Sequence, residues 1–468
     1  MNQSRWYVLI IICLAQIFCA TDNAIMINAL AALVKSFGCS MAAIELANSI
    51  YPLMAGALML TSGLLGLKIG WKKLLCVGLF IAAIGEVAAV FSPNVIVFTW
   101  LGRMLVGLGA SMVIPAVLGL IPTVYGGRDL AISFGVVGAA SGVAAAFSPI
   151  VGGWIIDRFS WQVAFLFMAI SLGLVFWGAL KIKKKASLNR EIKFDYLGAV
   201  LFAVSMLMIL LSLLKIGQWN IDIIVLVFGA GLAVLVFFGI YEHLLEKKQG
   251  TVLLPSIYLR TGQVVAGLAM TALIFFVFGG MSFVLVAYLQ VVLGLNALLT
   301  GLALMTFSLG LIFFSFGTPI IIKDPNPRRI CQIGILLTSL SCFLVAFAVG
   351  LGSLNLYFIV GIFILGAANG LLSSQAGVIV TDCLPEDSAA QSGGIQGSMR
   401  GIGQAVGIAL VGAIMAYSLT QIVHGDLATN PKAIQITLLS FSLIVLLFYI
   451  FTFSIPTSTA NQNLKEAG

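Results

Sequence analysis

The chain has 468 residues, of which 61% are hydrophobic and only 9% charged, with a mean hydropathy of +1.15. A soluble domain carries about 25% charge, so this composition excludes a soluble enzyme and a soluble domain on a single anchor. The net charge of +8 does not point to nucleic acid, because the basic residues sit in short stretches between apolar runs, where they orient a membrane protein.

A membrane helix needs about 20 mostly apolar residues. Fourteen such segments are predicted: 6–30, 41–66, 73–92, 95–121, 130–156, 161–180, 196–216, 221–242, 263–290, 297–322, 329–350, 354–380, 389–418 and 433–455. The first is too long for a cleavable signal peptide and is expected to be a retained helix. With the N-terminus inside, eighteen lysines and arginines fall on the inner side. Only Lys35, Arg158, Lys215 and Lys432 fall outside, so both termini are expected in the cytoplasm.

Ionisable residues inside a membrane are costly and are functional candidates by default. On segment 1, Asp22 lies about 24 Å from the inner end at 1.5 Å per residue. On segment 4, Arg103 lies about 12 Å below the outer end by the same rise. In a hydrocarbon core about 30 Å thick the two can share a depth. Asp22 is a candidate proton carrier that Arg103 holds charged in one state; the alternatives are a static pair or a solvated aspartate. Glu86 on segment 3 is a third proton-coupling candidate, set against the simpler expectation that it snorkels to the outer surface near Ser92 and Pro93. Glu45, Asp157 and Arg158 are expected at outer ends, and Asp382, Glu386 and Asp387 in a solvated inner loop.

Polar side chains on segments that could line a cavity are Asn23, Asn28, Tyr51, Gln290, Asn369, Gln375 and Gln396. Each could touch substrate or bond a neighbouring helix. Arg400 on segment 13 has no acidic partner of obvious depth and is open between contact with an anionic substrate and capping of carbonyls. Across the join of segments 2 and 3, Gly63, Lys68, Gly70 and Lys72 are expected to form an inner loop. On segment 5, Gly138, Gly142 and Ala146 recur every four residues, a small-residue stripe for close helix packing. Pro149 is expected to bend that segment and Gly152 and Gly153 to loosen its end. Cys13, Cys19, Cys76 and Cys342 lie in apolar runs without metal-ligand spacing and are expected to be structural. His243 and His424 are the only histidines and no G-x-x-x-x-G-K-[S/T] pattern occurs, so neither catalysis, a cofactor, a metal nor direct use of ATP is expected.

The stretches Lys181–Asp195 and Leu244–Gly262 divide the chain into a front six-helix bundle (1–180), linkers with two inserted helices (181–262), a rear six-helix bundle (263–455) and a tail (456–468). An ungapped shift of 259 residues superposes Gly102 on Gly361, Gly107 on Gly366, Gly135 on Gly394, Gly138 on Gly397, Gly142 on Gly401 and Gly153 on Gly412. Such duplication is a common plan of secondary transporters.

Over nearly its whole length the chain resembles the major facilitator superfamily, in its 14-helix drug:proton antiporter branch. Ser148-Pro149-Ile150-Val151-Gly152-Gly153 is similar to that family's helix 5 antiporter motif, with serine in the first glycine position. Thr21–Leu33 resembles the helix 1 motif with Asp22, and Leu101–Ala110 the helix 4 motif with Arg103. Phe159–Phe167 and Ser398–Gly407 are also family-like. In the helix 2–3 motif the acidic position is Leu67, so a gating salt bridge there is absent. The resemblance implies an all-α polytopic membrane protein with two six-helix bundles and two inserted helices. It also implies a monomeric inner-membrane antiporter exchanging protons for small, amphipathic or drug-like molecules by alternating access. A proton-coupled importer, a narrow exporter of one metabolite or siderophore, and a non-transporting sensor or scaffold are the alternatives.

Overall fold

The computed structural model describes residues 3–39, 41–182, 195–214, 219–248, 252, 256–295, 297–321, 326–384, 386–418 and 431–457. Among these, fourteen helices are long and apolar enough to cross a membrane, and no strand occurs. Helices are the expected solution, because hydrocarbon offers no partner for an open backbone amide. They are α1 (Gln3–Phe37), α2 (Met41–Ile69), α3 (Trp71–Val90), α4 (Val95–Val124), α5 (Arg128–Arg158), α6 (Trp161–Leu180) and α7 (Tyr196–Leu214), then α8 (Ile221–Lys247), α9 (Gly262–Val292), α10 (Ala297–Ile321), α11 (Pro327–Gly350), α12 (Leu356–Asp382), α13 (Glu386–Tyr417) and α14 (Lys432–Ser454). Side-chain caps start several of them: Asn94, Ser160, Asn326 and Asn355 each accept a backbone amide three residues on, satisfying one of the free donors of the first turn.

The front helices pack as α1 on α5, α2 and α3 on α4, and α3 on α6; the rear helices repeat this as α9 on α13, α10 and α11 on α12, and α11 on α14. The repeated glycines do equivalent work in the two halves. Gly102 meets Ala89 of α3 and Gly361 meets Val345 of α11; Gly107 meets the Tyr51 carbonyl of α2 and Gly366 the Phe307 carbonyl of α10. Gly135 and Gly138 lie against Ser315 of α10, while Gly394 and Gly397 lie against Gly63 and Met59 of α2. These last contacts join the two bundles. They fall where α2 and α10 finish and α5 and α13 begin, and Arg128 adds a hydrogen bond to the Ile320 carbonyl at 3.1 Å. Further along the same helices, Gly153 and Gly412 face no atom within 4 Å. The bundles thus close on each other at one end. The inserted pair α7–α8 rests on this seam, with Leu210 against Gly56.

Two sequence expectations are corrected. The loop expected around residues 63–72 is a single residue: α2 runs to Ile69, so Gly63 and Lys68 are helical, and only Gly70 (φ 92°) leaves the helix. Trp71, which starts α3, fills the notch of Gly66 and Gly119, and Leu67 is buried beside it in the front core. The helix therefore continues because its last turn has an apolar pocket to occupy. Likewise Glu386 and Asp387 open α13 rather than lying in a loop. The helical assignment of α5 continues through position 149; the Pro149 side chain, on which the expected bend depends, lies outside the described residues.

Candidate functional site

Arg103 is completely buried in the middle of the front bundle. It lies at the end of a π-helical stretch, Phe98–Arg103, within α4, a wider turn that often marks a functional position. Glycines on α4 let its neighbours approach. A Cβ on Gly102 would stand 2.9 Å from the Ala89 Cβ of α3, one on Gly109 2.6 Å from the Ala82 amide nitrogen, and one on Gly107 2.7 Å from the Tyr51 carbonyl of α2. The spacing of the Leu101–Ala110 motif thus brings α2 and α3 close around one guanidinium.

That guanidinium makes a two-pronged pair with Asp22 of α1, Nη1 to Oδ1 at 2.7 Å and Nη2 to Oδ2 at 2.9 Å. Planar forks of this kind are the strongest arginine–carboxylate contacts. Glu86 Oε1 stands 3.9 Å from the same Nη1, an ion-pair distance too long for a hydrogen bond. Tyr51 and Phe165 place their rings 5.3 and 5.7 Å from the guanidinium carbon, adding cation–π attraction from α2 and α6. Asp22 is 1% exposed, and Glu86 and Arg103 are 0% exposed. Both Glu86 oxygens are buried without a hydrogen bond. Glu86 therefore does not snorkel: the α3–α4 glycine contact turns it inward, toward the charge of Arg103.

The serine that departs from the helix 5 motif connects this cluster to the stripe on α5. Ser148 Oγ donates to Thr21 Oγ1 at 2.8 Å, next in sequence to Asp22, and also lies against the Ala144 carbonyl. Gln16 of α1 donates to Ser141 of α5 at 3.2 Å. Gly152 accommodates Ile25 of α1. Every front helix thus reaches the cluster or the helix that carries Asp22.

The remaining candidates scatter. Tyr51 donates to the Cys19 carbonyl at 3.0 Å and belongs to the arginine's surroundings, a role its sequence position did not reveal. Asn369 and Gln375 of α12 and Gln396 of α13 are buried and tied to the Ile274 carbonyl, Ser374 and Ser392. Asn23 and Asn28 are half-buried, and Gln290 is exposed in the last turn of α9. Lys72 donates to the Leu180 carbonyl at the end of α6 at 2.7 Å. Arg400 is half-buried, with its guanidinium carbon 5.0 Å above the Phe275 ring. Among the described residues no His, Cys, Asp and Glu group could hold a metal.

Two helix bundles joined at one end, the front one enclosing a buried charge cluster, define a membrane transporter rather than an enzyme. The chain matches the Major Facilitator Superfamily over residues 12–408 and belongs to it. It is a multi-pass membrane protein of that family. It is 28% identical over 422 residues to the tetracenomycin C resistance and export protein of Streptomyces glaucescens, covering 88% of this chain and 76% of that one. It is 26% identical over 427 residues to the riboflavin transporter RibZ of Clostridioides difficile (strain 630), covering 89% and 90%. The proton:xylose symporter XylE has the same fold, with a TM-score of 0.68 at 13% identity and 98% coverage of both chains.

Proposed function

We propose that this transporter exports small amphipathic molecules in exchange for protons, with Asp22, Glu86 and Arg103 as the coupling site. The observation that carries the reading is the charge count of the buried cluster: two carboxyls face one guanidinium. Arginine remains protonated in proteins. In a site closed to water, a charge without a partner costs several kcal/mol. One proton on the carboxyl pair makes the cluster neutral, and Asp22, already forked to Arg103, leaves Glu86 as the group that holds it. A movement of α1 that loosens the fork would free Asp22 to take the proton and return it to water. The Ser148–Thr21 bond supports this linkage, because α5 carries the inter-bundle contact and would transmit its motion to Asp22.

Export is supported by the likeness to the tetracenomycin C resistance and export protein. The excess of basic residues near the closed end supports an inward-closed arrangement with both termini in the cytoplasm. The test is flux in proteoliposomes with an imposed proton gradient. Wild type should drive substrate against its gradient and move protons the other way. Glu86→Gln and Asp22→Asn should each abolish gradient-driven flux, and Glu86→Gln should retain downhill exchange of substrate. Gradient-driven flux at the wild-type rate in both variants would refute the assignment.

A further inference from the structure

Arg400 is a second arginine far from the ends of its membrane helix, and the coupling cluster does not use it. It makes no salt bridge or hydrogen bond among the described residues; its Nε is buried and without a partner. Its guanidinium lies over the ring of Phe275 on α9. Its direction follows from its own helix. Gly393, seven residues earlier, packs against the Pro115 carbonyl and Gly119 amide of α4 in the opposite bundle. Seven residues are about two turns, so Arg400 lies on nearly the same side of α13 as Gly393, at the level of the seam. The adjacent Gly401 meets Gly56 of α2 across the seam, while Gly403 meets Ala272 of α9. Arg400 therefore lies at the seam between the bundles, level with the Gly56–Gly401 contact, and is half-buried there. On α9, one residue from Phe275, the Ile274 carbonyl holds Asn369, whose Oδ1 is also buried without a partner.

We infer that Arg400 is the anion-recognition residue of the transport cavity, and that the transported molecules include amphipathic organic anions bearing a carboxylate or ionised phenol. An uncompensated guanidinium inside a membrane is costly unless a ligand supplies the opposite charge. Arginine's planar fork suits a carboxylate in two-pronged contact. Phe275 holds the guanidinium by its ring and adds an apolar wall for the rest of the molecule. The positions of the two cationic residues divide the labour. Arg103 is neutralised inside the front bundle by its own acids, whereas Arg400, on the rear bundle at the seam, has no acid beside it among the described residues.

This inference rests on the transporter reading of the inter-bundle space and not on proton coupling. It is tested by equilibrium binding to the purified full chain without any proton gradient. The probes are aromatic carboxylates, such as 2-naphthoate and anthraquinone-2-carboxylate, each paired with its primary carboxamide. Wild type should bind at least one acid in clear preference to its amide. Arg400→Gln should weaken that acid about 30-fold or more and leave the amide unchanged; Arg400→Lys should keep the preference with reduced affinity. Because binding is read without a gradient, loss of coupling and loss of anion recognition are read separately. No preference for any acid over its amide in wild type, or a preference that persists in Arg400→Gln, would overturn the inference.

Discussion

Within the front bundle the three side chains proposed to couple protons also bear on stability. Arg103 offsets Asp22 directly and Glu86 at longer range, so removing it leaves two buried acids without a cation. Breaking a buried pair by removing one partner costs about 3–5 kcal/mol. Arg103→Gln should accordingly lower the thermal unfolding temperature in detergent far more than Glu86→Gln does, although the two residues are equally buried. Adding Asp22→Asn and Glu86→Gln to Arg103→Gln should recover most of the loss, because it removes the uncompensated acids. No recovery in the triple variant would show that Arg103 contributes packing against Tyr51 and Phe165 rather than charge balance. The pairing of Asp22 with Arg103 was legible in the sequence, since counting helical rise from each end allowed them a common depth. The inward turn of Glu86 was not. It depends on Gly85 and Ala89 fitting against α4 at Val106 and Gly102, a match between two helix faces that distance from a segment end cannot express.

At the scale of helices, glycine position decides where the bundles may touch. A Cβ on Gly63 would lie 2.6 Å from the Cα of Gly394, and one on Gly401 2.9 Å from the Cα of Gly56. Both obstacles are backbone, so a methyl group there forces the helices apart. Overpacking of this kind costs about 1–3 kcal/mol, enough to shift the balance between two arrangements by about tenfold or more. Gly63→Ala and Gly394→Ala should therefore depopulate the closed seam, read as faster thiol labelling of a reporter cysteine at Leu60 and slower transport. Gly153→Ala and Gly412→Ala, where nothing lies within 4 Å, should leave both readouts within about twofold of wild type, as is usual for substitutions away from packed features. Equal effects at all four positions would mean that the helices respond to lost glycine flexibility and not to contact. The register of these glycines was readable because a close approach admits almost nothing larger. Which helix each one faced was not, since a spacing along one segment carries no record of its partner. The small-residue stripe of α5 thus proved to serve the contact with α10 of the other bundle.

Across the whole molecule the two seams, α5 on α10 and α13 on α2, are copies of one another under the internal duplication. If each bundle moves as a body, both seams open and close together. An ideal Cβ at Gly397 lies 3.4 Å from the Met59 Cβ, and one at Gly138 lies 3.6 Å from the Ser315 Cβ. Disulfides need Cβ atoms about 3.5–4.5 Å apart, so Met59→Cys with Gly397→Cys, and Gly138→Cys with Ser315→Cys, should each cross-link in a background whose seven native cysteines are replaced. Oxidising either pair alone should arrest transport, and reduction should restore it. Closing one pair should also protect the thiols of the other from a membrane-permeant reagent, because neither seam could then part. Continued labelling of the second pair after the first is locked would mean that the seams flex independently, and that coupling from α5 to Asp22 runs through a local bend of that helix rather than through rotation of the bundles.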